Sequence, residues 1–211
     1  MNPVGNEDYL APYRAAAERH GGGFEATMWK SREAQVLRFD IMAEMACFHG
    51  ATLLDAGCGS GDFAVRLIER HVPFARFIGV DAVEQQIALA RERRLPRCEF
   101  HVADFVRDAG AFRLIEPDWV CFSGSLNTLS ESKARGVIHA AFVAARRGVV
   151  FNFLSDRHDA SINPHVMRPA RRFDTVAMLE WSLDQSPLVR FRQDYLNGHD
   201  ATIVIERAAT E

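Results

Sequence analysis

The stretch Thr52-Leu-Leu-Asp-Ala-Gly-Cys-Gly-Ser-Gly-Asp62 is a short apolar run that ends in a carboxylate, Asp55, and passes into three glycines at alternate positions, Gly57, Gly59 and Gly61. Glycines at that spacing keep side chains off a surface that a ligand must approach closely, and they permit positive φ. The following Phe63-Ala-Val-Arg-Leu-Ile-Glu-Arg70 has helical character, so its first N–H groups would point at an anion. A second apolar run, Phe77-Ile-Gly-Val80, ends in another carboxylate, Asp81, twenty residues after Gly61. A carboxylate at the tip of a neighbouring strand can accept hydrogen bonds from both hydroxyls of a ribose. This half of the chain therefore reads as a nucleoside holder.

The glycine spacing narrows the choice of nucleoside. In a G-x-G-x-x-G dinucleotide fingerprint starting at Gly57 and Gly59, the third glycine position is Asp62, which would set a negative charge beside a pyrophosphate. A phosphate-binding P-loop needs Gly-Lys-Ser/Thr, and the chain has only two lysines, Lys30 and Lys133, neither placed there. A glycine-rich turn in some other α/β protein is the plain alternative. The pattern D-x-G-x-G-x-G, followed by a helix and an acidic strand end, resembles the cofactor motif of class I S-adenosylmethionine (SAM) methyltransferases.

Apolar runs alternate with helical patterns from residue 52 to about 155, the mark of a parallel sheet wrapped by helices. Strands are expected at 52–55, 76–81, 98–103, 118–123 and 148–154, with helices at 83–94 and 131–147. A polar loop, 156–172, then leads to a helix at 174–184 and two runs, 188–195 and 201–206, joined by the hairpin signal Asn197-Gly198. This order matches what the resemblance implies: an α/β, Rossmann-like sheet of seven mostly parallel strands with a C-terminal antiparallel hairpin, plus N-terminal helices. Residues 51–211 would form the SAM-binding domain and residues 1–50 a helical extension acting as a lid.

The extension is too patterned to be a tail. Ser31 can cap a helix running to Phe48, with Gly50 as its stop and Ala34, Leu37, Ile41, Met45 and Phe48 as one apolar stripe. Ser31, Gln35 and Arg38 fall on an adjoining face. In SAM enzymes a helix at this place often passes over the methionine end of the cofactor, which would let Arg38 pair with its carboxylate and Gln35 bond the same group; otherwise Arg38 is an ordinary surface arginine. Trp29-x-Ser31-x-x-x-Gln35-x-x-Arg38-Phe39, Ser123-Gly-Ser-Leu-Asn127 and Phe151-Asn-Phe-Leu-Ser155 are together similar to a small bacterial subgroup of these enzymes that is poorly defined by substrate.

Ligands in open α/β sheets bind beyond the carboxyl ends of the strands. The residues expected to line the site are thus Asp55 to Gly61, Asp81 and Ala82, Asp104 and Phe105, Ser123 to Asn127, and Asn152 to Ser155. By the resemblance, Asp104 bonds the adenine amino group and Phe105 packs on the ring; the competing reading is a helix cap and a core phenylalanine. Ser123 and Asn127 are candidates to orient an acceptor, or else they close a turn. Tyr195 at a strand end, with Tyr9, Tyr13 and Trp29, either walls an acceptor pocket or simply packs. The Asn/Asp-Pro-Pro-Tyr/Phe loop of DNA- and protein-amino-methylating members is absent after the fourth strand, which argues against those acceptors.

Size and charge set further bounds. The 211 residues are 48% apolar with a net charge of −3, enough for one core and without a basic face for nucleic acid. The four cysteines, Cys47, Cys58, Cys98 and Cys121, are far apart and read as reduced, buried thiols of a cytoplasmic protein. No run is long enough to span a membrane. Among the eight histidines, His158 and His165 share the 156–172 loop with Asp159, but their spacing fits no metal motif, so no metal is expected. The function these readings converge on is methyl transfer from SAM to an oxygen or nitrogen of a small molecule, by a monomer or homodimer. The rivals are a SAM-consuming cyclase that releases methylthioadenosine, and a SAM-binding regulatory module.

Overall fold

A computed structural model describes residues 8–208 except 22, 28, 30, 109, 160 and 162–168. The strands are β1 (Thr52–Ala56), β2 (Arg76–Asp81), β3 (Cys98–Val102), β4 (Trp119–Phe122), β5 (Gly148–Ser155), β6 (Arg172–Phe173), β7 (Val189–Arg192) and β8 (Asp200–Glu206). The helices are α1 (Ala11–His20), α2 (Arg32–Met45), α3 (Asp62–Glu69), α4 (Glu84–Glu92), α5 (Ala111–Ile115), α6 (Glu131–Ala144) and α7 (Thr175–Gln185). The sheet runs β3-β2-β1-β4-β5-β8-β7, with the two-residue β6 beside β5 off this path. β1 to β5 are parallel, and β8 enters antiparallel between β5 and β7.

Alternation along the central strands divides the core into two layers. Leu54, Ile78, Val120, Phe122 and Phe151 face one side with α6; Leu53, Phe77, Trp119, Cys121 and Val150 face the other with α2, α3 and α4. On the second side Phe39, Phe48, Phe63, Phe77 and Trp119 make a continuous chain of ring contacts at centroid distances of 5.0 to 6.2 Å. The strand order reverses at β1 and β4, whose following loops diverge and open a crevice at their carboxyl ends.

Three features depart from the sequence-based expectation. The C-terminal strands pair antiparallel as expected, but Asn197-Gly198 is not a two-residue hairpin turn: it lies in a 3-10 turn, Leu196–Gly198, within a longer connection in which both Leu196 and Asn197 have positive φ. Cys47 is exposed and Cys98 partly so, whereas Cys58 and Cys121 are buried; all four are free thiols. The buried face of α2 is rotated from the expected stripe, being Gln35, Arg38, Phe39, Ile41, Met42 and Met45.

The rotation has an electrostatic cause. Arg38 is 5% exposed and forms a bidentate pair with Asp200 at the start of β8, Nε to Oδ1 at 2.7 Å and Nη2 to Oδ2 at 2.6 Å, while Asp200 is 1% exposed. The flat face of the guanidinium lies 4.5 Å from the Trp29 ring centroid. A buried arginine is tolerated only with a partner of this geometry, and the partner stands 162 residues along the chain. Asp200→Ala is expected to destabilise the protein by about 3–5 kcal/mol, since it strands a buried cation, with Arg38→Ala of similar size; urea denaturation measures both, and losses below about 1 kcal/mol would show the pair to be incidental.

Candidate functional site

The carboxyl ends of β1, β2 and β4 surround a cavity of about 340 Å³. Its floor is the glycine loop between β1 and α3. Gly57 has φ +87°, and a Cβ there would stand 2.3 Å from Ser125 Cβ, so only glycine lets this turn meet the loop after β4. Ser125 closes that contact by donating its hydroxyl to the Ala56 carbonyl at 2.6 Å. Asp81 ties the same loop to the end of β2: Oδ2 accepts from Gly59 N at 3.0 Å and Oδ1 from Val83 N at 2.9 Å. A carboxylate has about four lone-pair sites, so Asp81 keeps acceptor capacity for a ligand beyond its backbone bonds.

Burial raises the Asp81 carboxyl above its usual range despite these bonds. The Asp55 carboxyl is raised to about 8, first by burial and then by the charge of Asp81. Two buried acceptors that belong to lining residues have no protein partner: Asp55 Oδ1 and Gln86 Oε1. An unmet buried acceptor is costly, and a nucleoside or amino group brings the N–H and O–H donors that would satisfy both. The residues present therefore fit the cofactor that the glycine loop implies.

Most of the expected site residues converge on the cavity: Gln35, Asp55, Gly57, Gly59, Asp81, Ala82, Asp104, Phe105, Ser123 and Asn127 all line it. So do Tyr9, Tyr13 and Trp29 of the extension. Gly61 does not line it; with φ +81° it caps the start of α3 and turns the chain into the helix. Asp104 satisfies both readings made of it, since Oδ1 accepts from Val106 N at 3.2 Å and Arg107 N at 3.1 Å as a turn cap, yet also takes the Tyr9 hydroxyl at the cavity edge. Phe105 is 8% exposed, facing the cavity while packing on Phe112 and Phe122.

Asn127 and Ser123 line the cavity, and their side chains are tied to β5 and not to their own turn. Asn127 Oδ1 accepts from Leu154 N at 3.4 Å, and Asn152 bridges Gly124 N at 2.8 Å and Ser123 Oγ at 3.4 Å. Two expectations need correction. Arg38 is not among the lining residues, because Asp200 holds it; its Nη1 alone lacks a partner. Tyr195 is not a wall of the cavity either: it is 5% exposed in the α2-side core, with its hydroxyl 2.6 Å from Thr202 Oγ1.

His158 stacks edge-on with His199, 6.4 Å away, beside Arg172 rather than in the cavity. His165 lies outside the described residues. Among the described residues no group of three or more His, Cys, Asp or Glu is placed to hold a metal ion, and no helix is long and apolar enough to cross a membrane. Sequence reasoning missed Gln86 and Thr128. Gln86 sits in the first turn of the helix after Asp81, and Thr128 adjoins Asn127, so proximity to the strand ends was the available signal.

Comparison with known proteins agrees with this geometry. A family model described as "Methyltransferase domain" matches residues 53–148. The chain thus carries a methyltransferase domain on the fold of the class I SAM-dependent methyltransferases. A trans-aconitate 2-methyltransferase of Azoarcus sp. (strain BH72) is 38% identical over 65 residues, 31% of this chain and 25% of that protein, so the match spans about a quarter of the relative's length. Magnesium protoporphyrin IX methyltransferase of Synechocystis PCC 6803, solved with bound SAM, superposes with a TM-score of 0.68 at 15% identity, covering 95% of this chain and 98% of that one. An O-methyltransferase family protein from Burkholderia thailandensis gives 0.69 at 19% identity, covering 92% and 64%.

The Asp55 shift has a measurable consequence. Its folded pKa of about 8 lies above the unfolded value near 3.9, so the native state binds the extra proton and stability falls as pH rises through that window. Between pH 5 and 8 the ligand-free protein should lose up to about 1.4 kcal/mol per pH unit from this group. Asp55→Asn should flatten that slope in urea titrations; an unchanged slope would place the Asp55 carboxyl in an ordinary environment.

Proposed function

We propose that the protein is a SAM-dependent methyltransferase acting on an oxygen or nitrogen of a small molecule. The observation that carries this reading is the glycine loop held by Asp81 at the reversal of strand order, with unmet acceptors Asp55 Oδ1 and Gln86 Oε1 facing the cavity. Asp81 and Gln86 would bind the ribose side of SAM, Asp104 and Phe105 the adenine, and Gln35 and Asp55 the methionine end. When bound, SAM supplies an electrophilic methyl group on a sulfonium, and transfer is an in-line displacement.

The chain's part in such a reaction is mainly positioning and exclusion of water. Ser123 and Asn127 are fixed by Asn152 and the β5 backbone, so they present hydroxyl and amide groups in set directions to an acceptor. Burial outweighs the hydrogen bond with Thr128 and, helped by the Asp81 charge, holds the Tyr13 phenol protonated, with a pKa of about 12, so at neutral pH it is a donor and not a base. The proton lost by the acceptor would pass to solvent, since the Asp55 carboxyl, raised to about 8, is itself mostly protonated at neutral pH.

The extension, residues 1–50, is proposed as a lid over this site. Support comes from Tyr9, Leu10, Tyr13, Trp29 and Gln35 in the cavity lining and from Trp29 seated against Gly124. Gly124 has φ +71°, and a Cβ there would lie 2.6 Å from Trp29 Cζ2, so the indole occupies the space a side chain would need. Gly21, with φ +66°, ends α1 and is a natural pivot.

Two measurements check the proposal. Calorimetry should give SAM and S-adenosylhomocysteine affinities in the micromolar range with no comparable binding of NAD or ATP, and Asp81→Ala should weaken SAM more than about tenfold, equivalent to about 1.4 kcal/mol. NAD binding as tight as SAM would refute the cofactor assignment. For the lid, SAM should change Trp29 fluorescence, a change absent in Trp29→Phe; an indifferent signal would leave the extension as packing only.

A further inference from the structure

Resting on the methyltransferase reading, we propose that Tyr9 is a positioning residue for the nucleobase: its hydroxyl holds the Asp104 carboxylate in the orientation that reads an exocyclic amino group. Asp104 follows β3 and lines the cavity together with Phe105 and Tyr9. Its two oxygens are used unequally. Oδ1 takes three donors, Val106 N at 3.2 Å, Arg107 N at 3.1 Å and the Tyr9 hydroxyl. Oδ2 has, among the described residues, one ionic neighbour, the exposed Arg107 with its Nε at 3.5 Å. A carboxylate has about four lone-pair sites, so Oδ1 is filled and the spare acceptor capacity sits on Oδ2. Two backbone N–H groups and a phenol on one oxygen leave the carboxylate little freedom to rotate.

Tyr9 is held by more than this bond. The Lys133 ammonium of α6 lies 4.7 Å from the centroid of its ring, and the ring packs against the core on the α6 side of the sheet. The residues that follow anchor α1: Leu10 and Ala17 are buried, and Tyr13 bonds Thr128 in the loop after β4. Burial, then the bond to Asp104, raises the Tyr9 phenol well above its usual range, so the hydroxyl stays a donor and the carboxylate stays the acceptor. A carboxylate fixed in this way accepts from the amino group of adenine and opposes the carbonyl that a 6-oxo purine offers in the same place. Sites built to bond an N–H reject the analogue that lacks it, and an acceptor set against an acceptor adds a penalty to the wrong base. The bond joins residues 95 apart in the chain, so reading the base depends on the extension being docked.

The test is calorimetric affinity at pH 7 for two probes, S-adenosylhomocysteine and S-inosylhomocysteine, whose purines carry a 6-amino and a 6-oxo group. Tyr9→Phe keeps the ring with its packing and removes the hydroxyl alone. The native protein is expected to prefer S-adenosylhomocysteine by at least about tenfold. Tyr9→Phe is expected to weaken S-adenosylhomocysteine about fivefold, the scale of one hydrogen bond, and to leave S-inosylhomocysteine within about twofold, so that the preference contracts. An unchanged preference in Tyr9→Phe, whether or not both affinities fall, makes the phenol a packing group and overturns the proposal. Tighter S-adenosylhomocysteine binding in Tyr9→Phe would show the hydroxyl competing with the base, and equal affinity of the two probes for the native protein would show that the amino group is not read; either result also overturns it. Failure of S-adenosylhomocysteine itself to bind the native protein is a separate result that refutes the cofactor reading.

Discussion

The reversal of strand order between β1 and β4 is the constraint on which the rest depends. Two adjacent parallel strands send their following loops in opposite directions only there, so a crevice opens at their carboxyl ends. One side of it is the glycine loop and the other is the loop after β4. The two meet at a single close contact, where the absent side chain of Gly57 makes room for Ser125 and the Ser125 hydroxyl returns to Ala56. Asp81 then fixes the glycine loop from the neighbouring strand through Gly59 N. Every acceptor left unmet by the protein in this region, Asp55 Oδ1 and Gln86 Oε1 among them, follows from aligning strand ends around a space and not around a packed core.

The cofactor side was legible in the sequence because its signals are local. Asp55, the three glycines and Asp81 lie within thirty residues, each at the end of an apolar run, and strand ends in an alternating β/α chain must share one edge of the sheet. Asp104, Phe105, Ser123 and Asn127 follow by the same rule, and all line the cavity. Even there the readings divided: Asp104 serves at once as a turn cap and as an edge of the site, a combination that no single periodicity reveals.

What was not legible depends on partners far along the chain. Arg38 and Gln35 share a helical face, and the pattern of α2 could not say that this face points inward, because the carboxylate that neutralises Arg38 belongs to Asp200. Tyr195 stands at the end of an apolar run like the true lining residues, but it follows a strand at the sheet's antiparallel edge, and its hydroxyl turns to Thr202. The helix α1 carries a weak pattern, and its attachment comes from Tyr9 bonding Asp104, 95 residues away.

A buried ion pair on α2, the indole of Trp29 stacked on it, and Gly124 beneath that indole connect β8 to the extension and the extension to the loop after β4. The account's central claim is that this enclosure serves methyl transfer from SAM. The most direct test is mass spectrometry of SAM incubated with the protein, with and without a metabolite extract. The account predicts S-adenosylhomocysteine that accumulates only when the extract supplies an acceptor; methylthioadenosine appearing from SAM alone, or SAM bound without any turnover, would contradict it.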